Sequence, residues 1–169
     1  MAKTYVVVGA GVAGTAGAEA IRQADPEGPI LLIGSEDRSL YSRIRLPEVL
    51  AGGVDPRNLI LHKDDWYAER RIEQLRGLTV ESIDPAARTL TLDNGQSVSW
   101  DALLLATGAR DFIPPFPGGD LPGVVTVRSD LDTQDLRKKA VEAGSVVVIG
   151  GGVLGLEMAF ALSSQGVKV

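Results

Sequence analysis

The sequence predicts an α/β fold: a parallel sheet with flanking helices, an antiparallel β-meander, and the start of a second unit built like the first. Three observations predict it. Short apolar runs at 4–8 and 30–33 bracket an alanine-rich, proline-free stretch at 12–24, which is a strand–helix–strand pattern. Asn94-Gly95 joins two short strand-like segments, a strong hairpin signal. Residues 6–20 recur at 147–161: Gly9, Gly11, Val12 and Gly14 fall on Gly150, Gly152, Val153 and Gly155.

Each element follows in order. Residues 4–8 are nearly all apolar and end at Gly9, which fits a strand buried on both faces of a parallel sheet. The helix expected at 12–24 ends in the turn Asp25-Pro26-Glu27-Gly28-Pro29. Residues 30–33 form the second buried strand. The stretch 40–61 is expected to be a loop with a short helix near 46–51, broken by Gly52-Gly53 and Asp55-Pro56. Two acids open a helix at 64–71. Strands are expected at 78–83, 89–92 and 97–100, forming the meander, and a further apolar strand at 102–105. Residues 111–123 hold Pro114, Pro115, Pro117 and Pro122 and read as a linker. A helix at 129–143 with Ser129 or Asp130 as N-cap follows. A buried strand is expected at 146–149, and a helix at 153–164.

Composition narrows the function. The 169 residues carry 17 Lys+Arg against 22 Asp+Glu, a net charge of −5, which disfavours nucleic acid and anionic membranes as partners. There is no cysteine, which excludes a disulfide framework, a thiolate metal site and a redox thiol on this chain. A single histidine leaves no multi-histidine metal site, and no metal is expected. His62 reads as a packing or surface residue. No apolar run reaches the length of about 18 residues that a membrane span needs. No signal-peptide pattern precedes the first strand, so a cytoplasmic location is expected.

The two glycine loops carry the chemistry. GAGVAG at 9–14 follows a strand and opens a helix. Gly9 permits the turn, Gly11 lets backbone approach a pyrophosphate, and Gly14 lets helix pack on strand. The helix dipole and the freed amides favour a diphosphate there. The acid that should meet a ribose stands near the end of the second strand: Glu36, with Asp37 as the fallback. GGGVLG at 150–155 repeats the motif. Two such loops imply two dinucleotides, a flavin and a nicotinamide, with electrons passing between them.

These motifs resemble the FAD-dependent pyridine nucleotide oxidoreductases. Within that family the chain looks most like the NADH:rubredoxin reductases and the flavin part of the NADH-dependent nitrite reductases. The resemblance rests on GAGVAG with Glu36; on Tyr41-Ser42-Arg43-Ile44-Arg45-Leu46-Pro47-Glu48; on Lys63-Asp64-Asp65-Trp66-Tyr67; on Leu104-Leu105-Ala106-Thr107-Gly108-Ala109; and on GGGVLGLE ending at Glu157.

The resemblance implies roles. Gly9, Gly11, Val12, Ala13 and Gly14 would cradle the FAD pyrophosphate, and Glu36 the adenosine ribose. Arg43 would lie against FAD, and Val80 would offer backbone to the adenine. Ala106, Thr107 and Gly108 would sit beside the flavin. Gly150, Gly152, Val153, Leu154 and Gly155 would take NADH or NADPH. The implied organisation is an FAD-binding segment at 1–110, the linker at 111–123, and the beginning of an NAD(P)H-binding domain at 124–169.

The family's flavin domain returns after its nicotinamide domain with an Ala-Gly-Asp-type motif, and a C-terminal interface domain follows. Neither is in this sequence. It is therefore read as an N-terminal piece, inactive alone and weak in FAD retention, with an apolar 153–164 helix that would favour self-association.

The implied activity is NAD(P)H-dependent electron transfer through FAD to a small redox protein such as rubredoxin, or to a fused acceptor domain. The alternatives are an NADH oxidase or peroxidase, and a nucleotide-binding fragment without turnover. The disulfide-type reductases of the family place their redox cysteine in or near the segment matching 41–50, which has none here. In ferredoxin-reductase relatives that loop ends in a lysine near the flavin, paired with the glutamate matching Glu157. Here the position is Glu48, and Arg45, three residues earlier, is the expected compensating cation. Arg45, Glu48 and Glu157 are the candidate catalytic residues.

Overall fold

A computed structural model describes residues 2–169. The chain divides into two compact units. One holds the residues up to Tyr41 together with Ile60–Ala109; the other holds Ser42–Leu59 and Arg110–Val169.

The first unit contains the complete strand–helix–strand motif. Strand β1 (Tyr5–Val8) leads into helix α1 (Val12–Ala24) and strand β2 (Ile30–Gly34). Helix α2 (Leu46–Leu50) belongs to the second unit. Helix α3 (Asp64–Glu69) and strand β3 (Ile72–Arg76) return to the first. Strands β4 (Val80–Asp84), β5 (Thr89–Leu92) and β6 (Ser97–Ser99) precede β7 (Ala102–Leu105). Four strands make a parallel sheet in the order β3-β2-β1-β7, and three make the antiparallel sheet β4-β5-β6.

Strand alternation assigns each face of the parallel sheet a partner. Val7, Ile30, Leu32 and Ile72 pack with Ala18 of α1 and Tyr67 of α3. Val6, Val8 and Ile33 pack with Leu90 and Leu92 of the meander. The result is three layers: helices, parallel sheet, meander. Both faces of β1 and β2 are covered, which is why those strands read as unbroken apolar runs. His62 stacks on the Trp66 ring with centroids 4.0 Å apart, and the Arg70 guanidinium lies over the same indole at 4.2 Å. His62 is thus a packing residue. Arg22 donates to the Arg70, Asp25 and Arg71 carbonyls, Arg70 pairs with Glu19, Arg71 with Glu27 and Arg76 with Asp64. These arginines tie the unit together.

The sequence reading missed β3. Its Ile-Glu-Gln-Leu-Arg run is polar at three of five positions because it is the edge strand. Arg71, with φ of 51°, makes the sharp turn from α3 into it.

In the second unit, helix α4 (Asp130–Ala143) and helix α5 (Val153–Ser164) pack with α2. The strand expected at 146–149 does not form. Among the described residues its only ladder contact is the bridge between Ser145 and Lys168, with Val146 N–H donating to the Lys168 carbonyl at 2.8 Å. With no further pairing partner among the described residues, Val147 is 85% and Ile149 74% exposed, so the expectation of a buried strand is corrected. Helix α5 is apolar on more than one face: Met158, Ala161 and Leu162 are buried, while Val153, Leu154, Leu156 and Phe160 are exposed. No helix among the described residues is long and apolar enough to cross a membrane.

Helix α4 carries a capping box. The Ser129 hydroxyl accepts from Asp132 N–H at 3.1 Å, and the Asp132 carboxylate accepts from Ser129 N–H at 2.7 Å and Arg128 N–H at 3.1 Å. Burial pushes the Asp132 carboxyl up, but its bonds to Ser129 and Arg128 and the Arg43 charge outweigh this and hold it below the ordinary value. A lowered folded-state value means the cap contributes fully above the unfolded carboxyl value of about 4 and is lost as pH falls through the folded value. Ser129→Ala should cost about 1 kcal/mol in chemical denaturation at neutral pH. Asp132→Asn should flatten the loss of stability between about pH 5 and the acid range; an unchanged acid slope would show that the cap is not coupled to this carboxyl.

Candidate functional site

The first glycine loop connects β1 to α1. Gly9 adopts φ of 111°, outside the range that side chains favour, and its N–H donates to the Ile33 carbonyl at 2.8 Å. A Cβ at Gly9 would lie 2.2 Å from the Ala106 carbonyl oxygen, so the end of β7 presses on the loop. A Cβ at Gly14 would lie 1.7 Å from the Gly9 carbonyl oxygen. Only glycine at both ends lets the helix start this close to the strand. Gly11 differs: it is the N-cap of α1, with φ of −77°, and an added Cβ would meet nothing described within 4 Å. Its missing side chain answers to no internal contact and leaves room for an outside group.

The second loop repeats this geometry within its own unit. Gly150 has φ of 117°, and a Cβ at Gly155 would lie 2.2 Å from the Gly150 carbonyl oxygen. Gly152 caps α5 with φ of −75° and open space around it. The first helical bonds match as well: Thr15 N–H to Gly11 O at 2.9 Å, and Leu156 N–H to Gly152 O at 3.0 Å.

The fit to a dinucleotide pyrophosphate can be judged on the helix ends. Neither α1 nor α5 has a side-chain cap or an acid in its first turn. Helix α4 has both. The first turns of the two glycine-led helices thus carry neither a side-chain cap nor an acid, an arrangement that suits an anion from outside. Val12 and Ala13 of the first loop, and Val153 and Leu154 of the second, open those helices. The residues present suit two diphosphates.

The acid beyond β2 is defined by its contacts. Glu36 is half-buried, and its carboxylate accepts from the Tyr41 hydroxyl at 2.7 Å; Asp37 is exposed. Between the end of β3 and β4, Gly77 N–H reaches the Glu36 carbonyl at 3.3 Å and Leu78 N–H the Gly34 carbonyl at 3.1 Å, which fixes the turn. The Tyr41 contact was not anticipated, although Tyr41 opens the Tyr-x-Arg motif five residues on. Val80 stands at the start of β4, paired with Leu92, and a register shift before Ser82 interrupts the ladder with β5. Ala106, Thr107 and Gly108 follow β7, and Gly108 adopts φ of 72°.

In the second unit, Arg43 donates to the Arg128 carbonyl at 3.0 Å, just before the α4 cap. Arg45 and Glu48 form a two-point ion pair, Nε to Oε1 at 2.9 Å and Nη2 to Oε2 at 2.8 Å. This bonding lowers the Glu48 carboxyl and raises Arg45. Glu157 is exposed on α5 and makes no described bond to either. The structure thus joins two of the three candidate catalytic residues.

A strand–glycine loop–helix unit with an acid after its second strand, followed by a second loop of the same build, defines a dinucleotide-binding oxidoreductase architecture. The family model for pyridine nucleotide-disulphide oxidoreductases matches residues 3–169, and the chain belongs to that family. The family and its ferredoxin–NAD(+) reductase members use FAD and NAD(P)H.

The chain is 38% identical over its whole length to the ferredoxin reductase component of a chlorobenzene dioxygenase from Cupriavidus sp., covering 41% of that protein. It is 38% identical over 99% of its length to a nitrite reductase [NAD(P)H] from Bacillus subtilis, covering 21% of it. Among solved structures, NADH:rubredoxin oxidoreductase from Clostridium acetobutylicum superimposes with a TM-score of 0.87 at 28% identity, over 99% of this chain and 43% of that one. The chain spans about two fifths of the length of the first curated relatives it matches.

The loop geometry separates folding from binding. Gly14→Ala should destabilise the chain by about 2 kcal/mol or more, because backbone must move. Gly11→Ala should leave the melting temperature within a degree or two while weakening ADP binding at least roughly 10-fold. Calorimetric titration alongside thermal melts checks this; a Gly11→Ala chain that binds ADP as well as wild type would contradict the assignment.

Proposed function

We propose that this chain supplies the FAD pyrophosphate loop and the first nicotinamide loop of a reductase that passes electrons from NAD(P)H through FAD to a small redox protein. The repeated loop geometry, with an uncapped helix behind each copy, carries this reading. Gly9, Gly11, Val12, Ala13 and Gly14 would hold the FAD pyrophosphate, with Glu36 at the adenosine ribose and Val80 at the adenine. Arg43, Ala106, Thr107 and Gly108 complete the proposed FAD set; Gly150, Gly152, Val153, Leu154 and Gly155 would hold the nicotinamide dinucleotide. Residues 1–110 would thus form the FAD-binding segment and 124–169 the beginning of the NAD(P)H-binding domain, joined by 111–123. Bound FAD supplies the chemistry that couples a two-electron donor to a one-electron carrier.

The acceptor class rests on relatives and on composition. Several relatives are named as ferredoxin reductases of dioxygenase systems, and one solved relative is a putidaredoxin reductase bound to putidaredoxin. The chain has no cysteine, so no thiol on it relays electrons. An NADH oxidase activity is the second reading, favoured by relatives so named at 35% and 27% identity. In either case the Arg45–Glu48 pair neutralises a carboxylate on the loop proposed to meet the flavin, so that the loop presents no net negative charge there.

The whole protein, loaded with FAD and given NADH, should reduce a ferredoxin or rubredoxin faster than it consumes oxygen. Oxygen consumption that outpaces carrier reduction would favour the oxidase reading. Arg45→Ala should slow flavin reduction in stopped flow by about 10-fold or more while FAD retention changes little. Unchanged reduction with lost FAD would make Arg45 an anchor.

A further inference from the structure

Tyr41 opens the Tyr-x-Arg motif, yet the reading above gives it no task. Its surroundings do. The ring is 4% exposed, and its backbone is pinned by a bridge to Ile60. Leu61 N–H donates to the Leu40 carbonyl at 2.8 Å, securing the same crossing. The Arg38 guanidinium lies 5.5 Å from the ring centroid. From this held position the phenol donates to Glu36 Oε2 at 2.7 Å. All these residues lie in the first unit.

A half-exposed glutamate has three side-chain torsions, and freezing them at the moment of binding costs affinity. The Tyr41 bond fixes one oxygen of that carboxylate, Oε2.

We propose that Tyr41 is a positioning residue for the adenosine ribose of the bound dinucleotide, holding the Glu36 carboxylate in the orientation that accepts the ribose hydroxyls. This rests on the reading of the first loop as an FAD site. The class of ligand feature it selects is a vicinal diol on an adenine nucleotide. Asp37, one residue on, is exposed and does not share this support.

Two variants test it. Tyr41→Phe keeps the buried ring and removes the donor. Glu36→Asp keeps the charge and withdraws the carboxylate from the phenol by one methylene, at a position whose exposure tolerates the change. The probes are ADP and 2′,3′-dideoxy-ADP, titrated calorimetrically into the full 169-residue chain. Wild type should prefer ADP by roughly 10-fold, the worth of a hydrogen bond to a charged group. Both variants should lose most of that preference and bind the dideoxy compound as wild type does.

A purely structural role would weaken both nucleotides alike and leave their ratio intact, which would overturn the proposal. So would a Tyr41→Phe or Glu36→Asp chain with the full preference. Should Tyr41→Phe fail to fold, Tyr41→Leu, which keeps an apolar side chain and removes the donor, decides in its place. If wild type binds neither nucleotide at millimolar concentration, the FAD-site reading itself falls, and this assignment with it.

Discussion

The rest of the first unit depends on one backbone contact. Helix α1 begins so close to the end of β1 that a Cβ on Gly14 would overlap the Gly9 carbonyl. That contact sets the helix against the sheet, so Ala18 meets Val7 and Leu32 in one core. It also turns the uncapped start of the helix outward. Packing and the proposed anion site thus draw on the same three glycines, at different positions. Gly9 and Gly14 satisfy packing, and Gly11 leaves space.

The second loop shows which part of this is local and which is tertiary. Its dihedral angles and its Gly150–Gly155 approach match those of the first loop. At Gly9 the Ala106 carbonyl presses on the turn; at Gly150 nothing described lies within 4 Å. A glycine loop therefore folds from its own sequence, whereas a buried strand needs neighbours on both sides. Val147 and Ile149 have the composition of β1, and without a ladder they stay exposed.

Much of the fold was legible because local signals and burial agreed. The bounds of α1 and α5 follow from glycines before them and from turn-forming residues after. The hairpin at Asn94-Gly95 was readable from residue type alone, and the cap of α4 was narrowed to Ser129 or Asp130, of which Ser129 is the one. Strand β3 was not, because an edge strand needs few apolar residues. Helical spacing anticipated the Arg45–Glu48 pair, which forms, while the proposed ribose role of Glu36 rests on its spacing from the loop. The Tyr41–Glu36 bond was hidden because it depends on how the chain turns back after β2. The placement of Ser42–Leu59 with the later residues was equally invisible, since no local pattern records which distant helices a segment packs against.

The central claim is that both glycine loops are anion cradles of one design. Amide NMR on the isotopically labelled chain, titrated with ADP, tests it most directly. The account predicts shifts at the backbone amides of Val12, Ala13 and Gly14, and a second set at Val153, Leu154 and Gly155, each with its own saturation curve. The amides at the start of α4, already held by Ser129 and Asp132, should not move. Shifts confined to other surfaces, or equal shifts at α4, would contradict it.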